Sequence, residues 1–258
     1  MYRVCLTNDD GPHSEGLIRL AEVLARVVDL VVIVPDGQRS ATGKALTLNR
    51  PLRAQETARE GYRLITHDGT PADSVVLADW FARDVDLFVS GINAGANVGY
   101  QSMLTSGTVG AALEAALKGY PAIAVSVEAS PSEWFNHEGS DRDYDRICKI
   151  VKDIVMLVLE KGMPQEVDVI NINFPCHVSK DTEIRITRPT RVRMRNEVVE
   201  RIDPHNRKYY WLKGIEVKPL PGTDAYAVLK EGNVSISPIR ISGATGESLR
   251  RLKEFLGL

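Results

Sequence analysis

Two short apolar runs near the N-terminus, separated by one amphipathic segment, restrict the folds that this chain can adopt. The runs at residues 4–6 and 30–35 have the composition of buried strands, and a proline closes the second run. Between them, residues 14–24 place leucine and valine at helical spacing, with Ser14 as a candidate N-cap. A buried strand, a helix and a second buried strand predict the start of a layered α/β fold.

The same alternation continues to about residue 175. Further strand candidates lie at residues 63–66, 85–90, 122–127 and 167–173, and helix candidates lie at residues 69–81, 105–117 and 144–161. Strands that alternate with helices in this way predict a doubly wound, mostly parallel sheet.

Beyond residue 180 the pattern changes. Residues 184–187 and 191–195 alternate with a period of two, as antiparallel strands do, and residues 190–218 are rich in lysine and arginine. We interpret this part as a β arm that leaves the core, followed by a returning strand at 234–237 and a charged helix at 247–256. The predicted organisation is a catalytic core over residues 1–180. Residues 181–258 form an appendage that is not an independent domain.

The bulk composition excludes some classes of partner. The chain has 258 residues and a net charge of −2, which gives no general attraction to nucleic acid or to an anionic membrane. Its three cysteines are odd in number and widely spaced, which favours a reducing compartment over a disulfide framework. The N-terminus has no signal-peptide pattern, and no apolar run is long enough to span a bilayer. We therefore expect a cytoplasmic protein with no membrane contact and no stable nucleic-acid complex.

The first apolar run ends at Asn8, Asp9 and Asp10, which places two adjacent acids at the carboxyl end of a predicted strand. Ligands bind at that edge of an open α/β sheet. Ser40 and Asn93 follow other predicted strands, so the four oxygen-bearing side chains of Asp9, Asp10, Ser40 and Asn93 can meet there. Such a set suits one Mg²⁺ or Mn²⁺ per subunit better than zinc. The alternative is that the two aspartates only form a polar turn and cap the next helix.

A second candidate element is the predicted helix start at Ser106, Gly107 and Thr108. Free backbone N–H groups and the positive end of the helix dipole can bind phosphate, although an ordinary N-cap has the same sequence. Asn97 lies in a glycine-rich loop with Asn93, and an asparagine there can ligate a metal or donate to a phosphoryl oxygen. A flexible polar loop is the alternative.

Other residues give weaker signals. Lys44 could meet a phosphate as a point charge, although surface lysines are commoner. The basic strand around Arg193 could attract long anions, although a solvated face or a subunit contact is commoner. Tyr209, Tyr210 and Trp211 could stack on a base, but aromatic residues on a β arm more often bury in an interface. The chain lacks the dinucleotide fingerprint and the P-loop in its first turn, and it has no nucleophile elbow.

Taken together, the motifs resemble one family, the SurE or stationary-phase survival protein family of metal-dependent nucleotidases. The matching segments cover nearly the whole chain in the family's order: Asn8-Asp9-Asp10-Gly11, Pro35-Asp36 with Arg39-Ser40, Gly69-Thr70-Pro71-Ala72-Asp73, Ser90-Gly91-Ile92-Asn93-Ala94-Gly95-Ala96-Asn97, Ser106-Gly107-Thr108-Val109, Asn171-Ile172-Asn173-Phe174-Pro175, Asp203-Pro204 with Tyr209-Tyr210-Trp211, and Gly222-Thr223-Asp224 before Val234-Ser235-Ile236-Ser237-Pro238.

The resemblance implies a Rossmann-like core whose β arm and tail serve oligomerisation, as a homodimer or homotetramer. It implies hydrolysis of nucleoside 5′- or 3′-monophosphates, and some relatives also trim short polyphosphate. By position, the family's metal ligands fall on Asp9, Asp10, Ser40 and Asn93. Its phosphate contacts fall on Asn97, Ser106, Gly107 and Thr108. Two departures are the loop around Lys44, which is richer in glycine and serine in many members, and Ala96, where many members have proline.

These inferences give one main hypothesis, a metal-dependent phosphomonoesterase acting on nucleoside monophosphates. Asp9 or Asp10 would orient the attacking water or take its proton, while Asn97 and the helix start at Ser106 stabilise the phosphoryl oxygens. Water is favoured over an aspartate as the nucleophile because the DxDx(T/V) pattern of the haloacid dehalogenase-type phosphatases is missing. The rival hypotheses are a nucleotide-binding regulatory module without turnover and a structural oligomer in which the β arm matters most.

Overall fold

The computed structural model describes residues 1–129 and 142–258. Its strands are β1 (Arg3–Thr7), β2 (Asp29–Pro35), β3 (Ala54–Arg59), β4 (Tyr62–His67), β5 (Leu87–Ala94), β6 (Ala122–Val127), β7 (Val169–Phe174), β8 (Ile184–Ile186), β9 (Met194–Ile202), β10 (Lys208–Glu216) and β11 (Val234–Ile239). Its helices are α1 (Glu15–Leu24), α2 (Pro71–Phe81), α3 (Tyr100–Thr105), α4 (Gly107–Leu117), α5 (Tyr144–Lys161), α6 (Asp224–Leu229) and α7 (Gly246–Leu256).

Nine strands form one sheet in the order β3-β4-β2-β1-β5-β6-β7-β11-β8. The six strands from β4 to β7 are parallel, whereas β3 and β11 run antiparallel to β4 and β7. This confirms the predicted doubly wound, mostly parallel sheet. The chain winds in one direction from β1 to β2 and β4 and in the other from β5 to β7. The topological switch point therefore lies between β1 and β5, which is where ligands bind in such folds.

Both faces of the sheet are covered, and β1 shows how the sequence achieves this. Val4 and Leu6 point into a core shared with α1 and α5, whereas Cys5 points into a second core shared with α2 and α4. A strand buried on both faces carries continuous apolar side chains, which is the pattern in the sequence.

The β arm is confirmed as a hairpin of β9 and β10, which pair antiparallel in a separate two-stranded sheet. The arm begins later than predicted, at Met194, because the segment before it is held against the core. β8 was predicted to be antiparallel, and this is wrong: it pairs parallel with β11 at the edge of the main sheet. β8, α6 and β11 all contribute to the main fold from beyond residue 180. Within the two described ranges, no helix is both long and apolar enough to cross a bilayer.

Candidate active site

The turn after β1 is built by Asn8. Its side-chain amide donates to the carbonyl of Gly11, and its side-chain oxygen accepts from the Gly11 N–H, at 3.0 and 3.1 Å. Gly11 has a φ of +90°, and a Cβ there would lie 3.1 Å from the Cα of Gly37. Asn8 is therefore a structural residue, and the turn that it closes places Asp9 and Asp10 at the switch point.

Asp9 is only 4% exposed and is held by the first turn of α4. The Thr108 hydroxyl donates to its Oδ1 at 2.5 Å, and the backbone N–H groups of Thr108 and Gly107 also donate to the carboxylate. A Cβ on Gly107 would lie 2.9 Å from the Asp9 Cβ, so only glycine permits this approach. The positive N-terminal end of α4 therefore interacts directly with the Asp9 carboxylate.

Asp10 contacts the other side of the switch point. Its Oδ2 accepts a hydrogen bond from the Ala94 N–H at 3.2 Å, which places Asp10 beside the end of β5. The neighbouring Asn93 donates from its side chain to the carbonyl of Gly95 at 2.6 Å. The pairing register of β5 with β6 shifts between Ser90 and Asn93, so the strand bends where it meets the site.

The electrostatics of the two carboxyls favour a bound cation. Burial raises the pKa of Asp9, and burial together with the adjacent Asp9 raises the pKa of Asp10 to about 7. The Ala94 amide and the charge of Arg142 lower the pKa of Asp10, but less than burial raises it. A buried acid beside a half-buried one is costly when both are anions, and a divalent cation removes that cost.

The donor set therefore fits a hard cation, provided that neutral oxygens complete it. Within residues 1–129 and 142–258, no group of three or more histidine, cysteine, aspartate or glutamate side chains is arranged to hold a metal. The predicted set has two carboxylates, the Asn93 amide and the Ser40 hydroxyl, which is the oxygen chemistry that Mg²⁺ and Mn²⁺ prefer.

Ser40 is exposed on the loop after β2, and backbone hydrogen bonds hold this loop before and after Ser40. The N–H of Arg39 donates to the Asp9 carbonyl at 2.7 Å, and the N–H of Gly43 donates to the Thr105 carbonyl at 2.9 Å. Further along, Asp73 at the start of α2 accepts from the N–H and hydroxyl of Thr47 at 2.9 and 2.6 Å. The loop therefore brings Ser40 to the edge that carries Asp9.

Lys44 lies on the same loop, and its predicted contact with phosphate stays a prediction. Its ammonium forms an ion pair with Glu114 of α4, so it ties the loop to the helix. Ser106 is the N-cap of α4, where its hydroxyl accepts from the Val109 N–H at 3.1 Å. The phosphate-binding roles predicted for Ser106, Gly107 and Thr108 stay predictions.

Asn97 is buried in a network that the sequence did not reveal. Its side-chain amide donates to the Ser126 hydroxyl at 2.9 Å, and its backbone N–H donates to the Asn173 side-chain oxygen at 2.7 Å. The side chains of Asn171 and Asn173 donate in return to the Asn97 carbonyl at 3.1 and 3.4 Å. The available signal was the Asn171-Ile172-Asn173 alternation, which puts both asparagines on one face of β7.

The fold and the site define a Rossmann-like α/β protein with two adjacent acids, Asp9 and Asp10, at its switch point. The family model described as survival protein SurE matches residues 4–196. The chain therefore belongs to the SurE family.

Individual relatives agree with this assignment. A protein of Thermococcus gammatolerans named 5′-nucleotidase SurE is 41% identical over 256 residues, covering 98% of this chain and 96% of the relative. Another of that name, from Pyrobaculum arsenaticum, is 38% identical over 240 residues, covering 93% and 90%. The crystal structure of the SurE protein from Aquifex aeolicus superposes with a TM-score of 0.81 at 31% identity, covering 98% of this chain and 99% of that one.

Proposed function

We propose that this protein is a metal-dependent phosphomonoesterase that hydrolyses nucleoside 5′-monophosphates, and 3′-monophosphates as well, to nucleoside and phosphate. The relatives that cover nearly the whole chain are named 5′-nucleotidases, which supports the reaction class. The observation that carries the proposal is the adjacent pair of buried Asp9 and half-buried Asp10 beside the N-terminus of α4. A site built only to bind phosphate gains nothing from two carboxylates, because both would repel the ligand.

One Mg²⁺ or Mn²⁺ would be held by Asp9, Asp10, Ser40 and Asn93. When bound, the cation supplies Lewis acidity to the phosphoryl group and to water. Asp9 is suited to ligation because α4 fixes its carboxylate, so little side-chain freedom is lost on binding.

The remaining chemistry belongs to the chain's own residues. The carboxylate of Asp9 or Asp10 orients the water and accepts its proton as the water oxygen bonds to phosphorus. The Asn97 amide and the Ser106 hydroxyl donate to the phosphoryl oxygens, where negative charge develops. The ester P–O bond breaks, and the leaving oxygen takes a proton from solvent to become the nucleoside hydroxyl. The carboxylic acid then releases to solvent the proton that it took from the attacking water.

We also propose that the protein is a homodimer or homotetramer that assembles through the arm. Apolar side chains are exposed on both strands of the hairpin, including Val198, Trp211 and Leu212 at 65%, 63% and 75%. On α7, Phe255 is 85% exposed. Burying such side chains against a second copy would remove this surface from water. Light scattering of the purified protein would give the mass.

The experiment that tests the proposed function is phosphate release from a panel of nucleoside monophosphates in EDTA, Mg²⁺ or Mn²⁺. We would compare the wild type with Asp9→Asn and with the control Asp153→Asn, an exposed aspartate on α5. Metal-dependent release that only Asp9→Asn abolishes supports the proposal. A folded wild type that binds nucleotide but releases no phosphate with any metal overturns it in favour of a regulatory binding module.

A further inference from the structure

The loop that carries Asn97 is held from the side by Arg193, at the base of the β arm. The Arg193 Nη1 donates to the carbonyl of Ala96, the residue before Asn97, at 3.0 Å. Arg193 is 7% exposed, although it directly precedes Met194, where the exposed hairpin begins. The basic pattern around Arg193 favoured a solvated face or a contact between subunits, whereas the Arg193 side chain is buried against the loop that carries Asn97.

A buried acid completes the arrangement. The Arg193 Nη2 lies 2.9 Å from the Glu128 Oε1, and the two side chains are 8% and 20% exposed. Glu128 follows β6, and its backbone N–H donates to the Phe174 carbonyl at the end of β7 at 2.9 Å. A guanidinium can bond a carbonyl and a carboxylate at once through a rigid fork, which a lysine ammonium cannot reproduce. Arg193 therefore joins the Asn97 loop to the frame of the sheet.

The far end of the same loop is held by Asp224, at the start of α6. This buried carboxylate accepts from the Gly99 N–H at 2.6 Å and from the Thr190 N–H at 2.8 Å. The Tyr100 N–H donates to the Thr190 carbonyl at 2.9 Å, and a Cβ on Gly99 would lie 2.8 Å from the Thr190 Cγ2. The segment that leads into the arm is therefore packed along the loop and is hydrogen-bonded to it.

Arg193 belongs to the arm as well as to the site. Its backbone carbonyl accepts from the Val217 N–H at 2.8 Å, the hydrogen bond that closes the base of the hairpin directly after β10. A displacement of the hairpin base therefore moves the guanidinium that holds Ala96.

We propose that Arg193 is a positioning residue for phosphate release: it acts through the Ala96 carbonyl on Asn97 and so makes turnover depend on the geometry of the arm. The catalytic part of this inference rests on the function proposed above, in which Asn97 contacts the phosphoryl group. The holding of the loop by Arg193 does not depend on that function and can be measured separately.

The key variant is the double substitution Arg193→Met/Glu128→Gln. Removing Arg193 alone would leave Glu128 as an uncompensated buried charge, which would destabilise the fold for a reason unrelated to the loop. The double variant removes both charges together. The matched control is Arg195→Met, the same substitution two residues along, where the side chain is exposed on β9.

We expect kcat of the double variant to fall about 10- to 100-fold, as displacement of a transition-state contact does, with KM little changed. Arg195→Met should retain the wild-type kcat. The decisive comparison repeats the double substitution in an Asn97→Ala background, where we expect no further loss of kcat. A loss that is equally large with and without Asn97 overturns the proposal, because Arg193 would then not act through Asn97.

A second measurement does not require activity. Amide hydrogen exchange at Asn97 and Gly99 should be faster in the double variant than in the wild type and in Arg195→Met, because the loop has lost its lateral support. Unchanged exchange at both amides overturns the proposal whether or not the protein is an enzyme. If the wild type releases no phosphate but exchange is still faster in the double variant, the result supports the holding of the loop by Arg193. The same result overturns the proposed function.

Discussion

The Thr108 hydroxyl donates a 2.5 Å hydrogen bond to the Asp9 carboxylate and so joins the first turn of α4 to the end of β1. The two residues are 99 positions apart in the chain and both are buried. This bond lowers the pKa of Asp9, against the burial that raises it. Thr108 therefore favours the ionised form of the proposed metal ligand and fixes its orientation.

We predict that Thr108→Val lowers phosphate release at least tenfold, because a hydrogen bond to a charged group contributes about 1.5–3 kcal/mol. Thr108→Ser retains the hydroxyl and should keep most of the activity. Steady-state kinetics at saturating metal measures both variants. Equal activity in the valine and serine variants would show that the hydroxyl is dispensable.

Gly107→Ala should abolish metal-dependent phosphate release. The added methyl group would lie 2.9 Å from the Asp9 Cβ and 3.1 Å from its Oδ2, so either the carboxylate or the helix must move. Gly246→Ala is the control, since a Cβ there meets nothing within 4 Å at the first turn of α7. Activity assays and thermal melts of both variants test this, and an active Gly107→Ala enzyme contradicts the close packing.

Mg²⁺ or Mn²⁺ should raise the melting temperature of the wild type, and EDTA should reverse the shift. A ligand at 100 times its dissociation constant stabilises the fold by about 2.7 kcal/mol. Asp9→Asn should lose the shift, and Asp153→Asn should keep it. A shift of equal size in Asp9→Asn would place the cation elsewhere.

The sequence predicted the position of the candidate site residues at the sheet edge, but it did not predict their hydrogen-bond partners. Asp9 and Asp10 follow β1, and Asn93 lies at the end of β5. Because parallel strands end at one edge of the sheet, this placement follows from a local pattern and a topological rule. The partners Thr108 and Asn173 come from distant parts of the chain. No local pattern records which distant side chain a buried amide or carboxylate contacts.

The fold shows the same division between local and distant signals. β3 was missed because Ala54–Arg59 is an exposed edge strand with no apolar alternation. The alternation at residues 184–186 predicted a strand correctly, but the direction of its partner is set by β11, some 50 residues away. Arg193 carries no local sign of burial, because its partners Ala96 and Glu128 lie in the segments that follow β5 and β6.

The stability of the fold should decline as the pH falls from about 6.5 to about 4, in part because of His67. Burial lowers the pKa of this histidine to about 4, against the opposing charges of Asp73, Asp36 and Asp68. The folded state therefore favours the neutral ring, which accepts from the Gly69 N–H and bonds the Ser74 hydroxyl at 2.7 Å. Its contribution is fully present above the unfolded pKa and is lost as the pH falls through that window.

Denaturant unfolding between pH 4 and pH 8 measures this dependence. We expect His67→Gln to reduce the change in unfolding free energy across the window by up to about 3 kcal/mol. The control His205→Gln, at the exposed tip of the arm, should keep the wild-type dependence. An unaltered dependence in His67→Gln would mean that other groups account for the decline.

The position of β11 has a consequence for how the protein is made. β11 is the last strand in the chain, yet it lies between β7 and β8, and Ser235 pairs in register with Asn173. During synthesis, β7 therefore remains an open edge until β11 has left the ribosome. A product that terminates before Val234 would contain Asp9, Ser40 and every other residue assigned to the site. It would lack the strand that pairs with β7 at Asn173, so the integrity of the site depends on β11, a strand that contributes none of the assigned site residues.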